Sequence, residues 1–451
     1  MARPYLAGSA VLNSPREYQV ILSGGPDYAL HSHMPPNPVT PPAGRPTKSL
    51  RTSDFRAIAQ LAVQATAGVT SIAEGVHQSV LSTMGIPAGS GPERTRFITG
   101  LVYRNVRNVT RLVGGSLDTL LAALQPVLDP AEEALPESPR REAVLAALNG
   151  VIGDHLVASD NPFAIPMSIR YKDQALDWES LPSMPEATGK IMLLVHGLCM
   201  NDLWRHAQHK GHDLEHGNSL ASALGYTPVY LHYNSGLHTS LNGRELSTQL
   251  EQLVEKWPTP VEELSVVAYS MGGLLTRSAC HYANEGNLRW PSYLKNIVFL
   301  GTPHHGTSLE KLGNWLDALL GGLPYTRPFT RLARLRSAGI TDLRYGHVLD
   351  EDWHGHDRFH RRPDGRQLVP LPEGVACYTV AASMGNRRSA LSNRLLGDGL
   401  VPLHSALGHH EKAQRKLLFA NESHRIFYRM GHMELLHSPR VIRQIRRWLG
   451  D

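Results

Sequence analysis

This sequence predicts an α/β protein with a mostly parallel central sheet flanked by helices, an all-helical segment before it and one long insertion within it. Two patterns carry that expectation. From residue 191 onward, short continuous apolar runs alternate with helical segments, and strands apolar throughout belong to a parallel sheet buried on both faces. Before residue 160, apolar residues instead recur every three to four positions, the stripe of an amphipathic helix. At 451 residues the chain exceeds the size at which one core usually stops growing, so more than one unit is expected.

Residues 1–50 are rich in Pro, Gly and Ser, including PPNPVTPPAGRP at 35–46, and are expected to form a loosely ordered arm. Phe55, Ile58, Ala62, Ala65, Val69, Ile72 and Val76 then make one helical stripe. After the break GIPAGSGP (85–92), Val102, Val106, Val109, Val113, Leu117, Leu120 and Leu124 make a second. A third helix opens at Ser138-Pro139, an N-cap followed by a first-turn proline, and runs through Val144, Leu148 and Val151. Residues 51–160 should therefore form a helical bundle or hairpin, packed on itself or on the sheet domain.

Residues 161–451 hold the sheet. The predicted strands are IMLLVH (191–196), TPVYLHY (227–233), LSVVAY (264–269), NIVFLG (296–301), ACYTVAA (376–382) and RIFY (425–428), with an antiparallel edge strand within 161–171. The stretch 307–372 is too long for a connecting loop and reads as an insertion.

The strand LSVVAY runs directly into Ser270-Met271-Gly272-Gly273 and then a helical segment. Ala268-x-Ser270-x-Gly272 departs from the nucleophile-elbow pattern only by Ala at the first Gly, and both small residues let strand and helix approach. The helix N-terminus there directs its dipole and free N–H groups at a developing oxyanion. Ala381-Ala382-Ser383-Met384-Gly385 matches the same short pattern, but Asn386-Arg387-Arg388 follows in place of an apolar helix, so Ser383 reads as a turn serine.

An oxyanion hole needs two converging backbone N–H groups. Met271 supplies one, and Leu198, in His196-Gly197-Leu198 at a strand end, supplies the other if Gly197 turns the backbone sharply. In this chemistry the acid follows the nucleophile and the histidine follows the acid. Asp398 stands between glycines in LLGDGLVP (395–402), and His432 stands in GHMELL after the last strand. His404, His424 and His437 compete with His432, whose Gly-His-x-x-Leu-Leu setting favours it.

Together AYSMGG, VHGL, FLGTPHHG (299–306), GDGLVP and GHMELL resemble the bacterial lipase/esterase branch of the α/β hydrolases, including the inositol-deacylase-like lipases, over about residues 163–451. The resemblance implies an α/β-hydrolase fold and carboxylic ester hydrolysis through an acyl-Ser270 intermediate. Asp398 and His432 would complete the triad, and Leu198 and Met271 would serve as oxyanion donors. It further implies that 307–345, with the apolar LGNWLDALLGGL (312–323), forms a lid over an acyl pocket. The helical region before the sheet has no counterpart in that resemblance.

Other constellations point elsewhere or nowhere. His209, Asp213 and His216 would share a face if WRHAQHKGHDLEH were helical, but spare histidines beside an active-site loop are commoner than ligands, so no metal is expected. DEDWHGHDRFH (350–360) is read as a polar insertion loop. No cofactor is required. A net charge of +5 without nucleic-acid-binding motifs excludes nucleic acid as the expected partner, leaving a small-molecule or lipid ester substrate. Arg104, Arg107, Arg111, Arg440, Arg443, Arg446 and Arg447 read as solvated helix faces, with peripheral contact to an anionic membrane the other option. Three scattered cysteines, no apolar core in the N-terminal stretch and no run of about 18 apolar residues lead to the expectation of a cytoplasmic, possibly membrane-associated protein. Acyl transfer by the same acyl-enzyme and a catalytically idle scaffold with an interaction arm are the alternative functions.

Overall fold

The computed structural model describes residues 56–57, 60, 139–179, 181, 184–201, 208–209, 212–213, 216–321, 337–355, 364–386 and 397–450. The N-terminal arm and the stripes over 55–76 and 102–124 lie outside the described residues, save Arg56, Ala57 and Gln60, which are helical.

The strands are β1 (Ser168–Tyr171), β2 (Gln174–Ala175), β3 (Lys190–Val195), β4 (Gln208–His209), β5 (His212–Asp213), β6 (Thr227–His232), β7 (Glu263–Tyr269), β8 (Leu294–Leu300), β9 (Ala376–Ser383) and β10 (His424–Tyr428). Eight of them form one sheet in the order β2-β1-β6-β3-β7-β8-β9-β10. From β6 to β10 all neighbours are parallel, and β1 and β2 add an antiparallel edge. This mostly parallel sheet, reversing direction of travel at β3, is the α/β-hydrolase architecture that the sequence predicts. The strands on either side of that reversal point, β6 and β7, both neighbour β3, and ligands of open α/β sheets bind beyond the strand ends at such a point.

The helices are α1 (Pro139–Ala158), α2 (His216–Ala223), α3 (Thr239–Lys256), α4 (Met271–Glu285), α5 (Leu309–Gly321), α6 (Ala338–Tyr345), α7 (Leu403–Ala406), α8 (Glu434–His437) and α9 (Pro439–Gly450). Successive residues of β3 show why its run is apolar throughout. Ile191, Leu193 and Val195 pack under α3 and α4 with Leu250, Leu275 and Ala279, while Met192 and Leu194 pack under α2 and α9 with Leu220, Val441 and Ile445. A period of two with both faces covered leaves no position for a polar side chain.

Helix α1 starts at Pro139 as its sequence predicts, but it does not present a single stripe. Residues 146–153 are all buried in succession, and a helix buried all round is a core helix. Leu148, Val151, Ile152 and Leu156 share a cluster with Leu198, Met271 and Leu274 of the sheet domain and with Leu312 and Ile340 of the insertion. Its glycines allow the close approach: a Cβ on Gly153 would lie 2.7 Å from Asn234 Cγ, and one on Gly150 would lie 2.8 Å from the Cys199 backbone. The insertion is likewise structured, with α5 and α6 on either side of 322–336, which lies outside the described residues. Among the described residues no helix is long and apolar enough to cross a membrane.

Candidate active site

Ser270 closes β7 and precedes α4, with φ 53° and ψ −119°. A non-glycine residue at positive φ is strained by roughly 1–3 kcal/mol and persists only where its surroundings over-determine it. Here the Ser270 N–H donates to Leu300 O (2.8 Å) and its carbonyl accepts from Gly273 N–H (3.0 Å). The two glycines after it are dictated by packing. A Cβ on Gly272 would lie 2.7 Å from Val195 O and 2.8 Å from His196 O, and one on Gly273 would strike the Thr302 side chain. Ser383, the competing serine, ends β9, is absent from the residues with positive φ, and is followed by a bend.

Met271 is the first residue of α4, where helix geometry leaves the N–H without an intrahelical acceptor. Leu198 follows β3, the strand beside β7. The left-handed residue of that turn is Cys199 (φ 59°). Gly197 lies in close approach to the candidate nucleophile: a Cβ there would sit 3.1 Å from Ser270 Cβ and 3.1 Å from the Tyr269 ring. The Cys199 N–H is tied to Ser235 Oγ (3.0 Å), and Tyr233 Oη donates to His196 O (2.9 Å), so the turn is held from below.

Asp398 and His432, which come from loops after different strands, meet. His432 Nδ1 lies 2.7 Å from Asp398 Oδ2, and both side chains are buried. The His432 N–H donates to Asp398 O (2.9 Å), so backbone and side chain are fixed by the same partner. Asp398 Oδ1 accepts from the N–H groups of Leu400 (3.0 Å) and Val401 (2.7 Å), which fixes the carboxyl group in place. Its flanking glycines, Gly397 (φ 57°) and Gly399 (φ 97°), adopt backbone conformations that side chains rarely tolerate. With Nδ1 committed to the carboxylate, His432 Nε2 is buried and without a hydrogen-bond partner among the described residues. Of the competing histidines, His404 and His424 are exposed and His437 is half-buried.

Three residues that shape this site carry no assignment in the sequence analysis. Tyr269, immediately before Ser270, donates from Oη to His432 O (3.2 Å) and its ring centroid lies 4.9 Å from the imidazole. Gly301 (φ 58°), in FLGTPHHG, leaves room for the imidazole: a Cβ there would lie 3.0 Å from His432 Cε1. Trp315 of α5 stands edge-on to His432 at 6.1 Å. The glycine in that motif was the available signal for Gly301, whereas nothing local marks the other two.

In the histidine-rich segment, Gln208–His209 and His212–Asp213 are strands rather than parts of one helix. Among the described residues β4 and β5 pair antiparallel, His209 opposite His212 and Gln208 opposite Asp213, so strand pairing replaces helical spacing there. Among the described residues no group of three or more His, Cys, Asp or Glu is arranged to hold a metal ion.

A family model described as a domain of unknown function (DUF7379) matches residues 166–331. A search of curated protein sequences gives no significant match. Among solved structures, the chain is similar to the mature form of Bacillus licheniformis lipase BlEst2, with 17% identity, a TM-score of 0.37, and 63% of this chain and 98% of that one covered. It is also similar to Aspergillus fumigatus lipase B (14% identity, TM-score 0.34, 61% and 54% covered). A third neighbour is the Pyrococcus furiosus esterase Pf2001 (13% identity, TM-score 0.33, 59% and 84% covered).

Proposed function

We propose that this protein is a serine hydrolase that cleaves carboxylic esters through an acyl-Ser270 intermediate. The observation that carries this reading is the buried Asp398–His432 pair, whose Nε2 is unpartnered among the described residues and whose imidazole lies 4.9 Å from the ring of Tyr269, the residue before the strained Ser270. In the first half-reaction His432 Nε2 takes the Ser270 hydroxyl proton as Oγ attacks the ester carbonyl. The oxyanion accepts from the N–H groups of Leu198 and Met271, with the α4 N-terminus adding its dipole. Collapse expels the alcohol, which takes the proton from His432. In the second half, water loses a proton to the same nitrogen and attacks the acyl carbonyl, and collapse releases the acid as Ser270 Oγ takes that proton back from His432. Asp398 fixes the imidazole tautomer with Nδ1–H towards the carboxylate and offsets the imidazolium charge. No step calls on a cofactor.

The acyl chain of a small-molecule or lipid ester would lie beneath α5, where Leu312 and Leu316 are buried and Trp315 approaches His432. The test is labelling by a fluorophosphonate probe, together with a chain-length series of chromogenic esters. Labelling and turnover that vanish in Ser270→Ala support the hydrolase. A wild-type chain that neither labels nor turns over any ester would overturn it in favour of an idle scaffold.

A further inference from the structure

A second group of buried polar residues lies apart from the proposed catalytic residues. Arg277, on the second turn of α4, is 5% exposed, and Nη2 donates to Val369 O. Its Nε–H has no acceptor, and none of the ion pairs among the described residues includes it. A cavity of about 20 Å³ is lined by Arg277, His304, His305, Arg366 and Arg415 among others. The acids nearby are already engaged. Asp364 pairs with Arg366 (2.9 Å) and Arg415 (3.3 Å), and Asp352 accepts the N–H groups of Val348 (2.9 Å), Leu349 (3.1 Å) and Gln367 (3.0 Å). His304 is 1% exposed with neither ring nitrogen partnered, and His305 Nδ1 is unpartnered while Nε2 faces Gly408 O (3.1 Å). Burial, with Arg366 adding repulsion that Asp352 offsets in part, pushes Arg277 down to about 10.

We propose that this cavity is a binding site for a small monovalent anion of chloride size, held by Arg277 Nε–H and a ring N–H of His304. A water needs roughly 10–15 Å³, so a space of about 20 Å³ fits one small species. Water would satisfy the hydrogen bonds but not the charge. Three guanidiniums, Arg277, Arg366 and Arg415, face two carboxylates, Asp352 and Asp364, so one positive charge is left over, and an anion beside Arg277 offsets it. The anion would also join two parts of the proposed active site. Arg277 belongs to the helix that begins after Ser270, and His304 stands three residues beyond Gly301, against which His432 rests.

The deciding experiment is a crystal of the full chain grown with bromide as the halide and measured at the bromine absorption edge. An anomalous peak in this cavity, within hydrogen-bond distance of Arg277 Nε, is expected; density there without anomalous signal would be water and overturns the proposal. In solution at constant ionic strength, replacing gluconate by chloride should raise the unfolding midpoint saturably by on the order of a few degrees. That increment should disappear in Arg277→Met. Equal midpoints of the wild type in the two salts sink the site, and both wild-type measurements stand even if the variant does not fold.

Discussion

His432 and His437 are separated by little more than the short helix α8, yet their surroundings differ: the first is buried against Asp398 and the second is half-buried at the helix end. His432→Ala should therefore lower turnover of a chromogenic ester by on the order of 10⁴-fold or more, while His437→Ala should change it little. Asp398→Asn should fall between, because the imidazole keeps its place but adopts the wrong tautomer. A dead His437→Ala variant would refute the assignment. Glycines make a second residue-level case. Gly272→Ala would bring a Cβ to 2.7 Å from Val195 O, a backbone atom that cannot swing aside, and should destabilise by about 1–3 kcal/mol in denaturant titrations. The order of Ser270, Asp398 and His432 was legible because each follows a strand whose apolar run is unmistakable. The reason for Gly197 was not, since a close approach between β3 and the end of β7 is a tertiary fact and only the turn was guessed from local preference.

At the scale of elements, the insertion shows where pattern reading stops. Its apolar run at 312–323 is visible in sequence, but the ties that lock its second half to the rest of the chain are single polar contacts between distant positions. Ser337 caps α6 through Ile340 N–H (3.3 Å) and donates from Oγ to Gly150 O (2.6 Å). Asp342, fully buried on α6, accepts from the first N–H of α3 at Thr239 (2.7 Å) and lies 3.0–3.1 Å from Nδ1 of His238 and of His347. No periodicity encodes such contacts. Burial pushes the Asp342 carboxyl upward, but hydrogen bonds and charge from His238 and His347 outweigh it, and the group stays below its ordinary value. Because the folded value is depressed, the stabilisation is present above the unfolded carboxyl value of about 3.9 and is lost as pH falls through the folded one. Asp342→Asn should thus cost about 1–3 kcal/mol at neutral pH, and the gap from wild type should shrink below about pH 4 in denaturant titrations. A gap that is constant with pH would mean that the carboxylate charge contributes nothing. For α5, Trp315→Ala should reduce activity on long acyl esters far more than on acetyl esters if that helix covers the acyl pocket. Equal loss on both substrates removes the lid role.

For the whole molecule, the question is where the sheet domain begins. Composition divides the chain near residue 160, where helical stripes give way to strands. The core does not respect that division, because residues 146–153 of α1 are buried in succession and the helix packs with Leu198 after β3, Met271 and Leu274 of α4, and the insertion. Its sequence Ala-Ala-Leu-Asn-Gly-Val-Ile-Gly over 146–153 hides this, since small residues and one asparagine dilute the apolar signal. Asn149 is polar yet fully buried because Nδ2 donates to Phe163 O (2.7 Å) and Oδ1 accepts from Ile165 N–H (3.0 Å), joining the helix to the chain that enters β1. Removing α1 would expose the facing side of Leu198, Met271 and Leu274 and would forfeit the burial of Leu148, Val151, Ile152 and Leu156, each worth roughly 1.5–3 kcal/mol. Losses of that size rival the whole stability of about 5–15 kcal/mol typical of a native domain. A chain beginning at Asn161 should therefore be insoluble or lack a cooperative thermal transition, and should not label with a fluorophosphonate. Circular dichroism melts beside full-length protein provide the check. A truncated chain with the full-length midpoint and full labelling would show that α1 is an accessory laid on a complete domain, and the burial argument would fail with it.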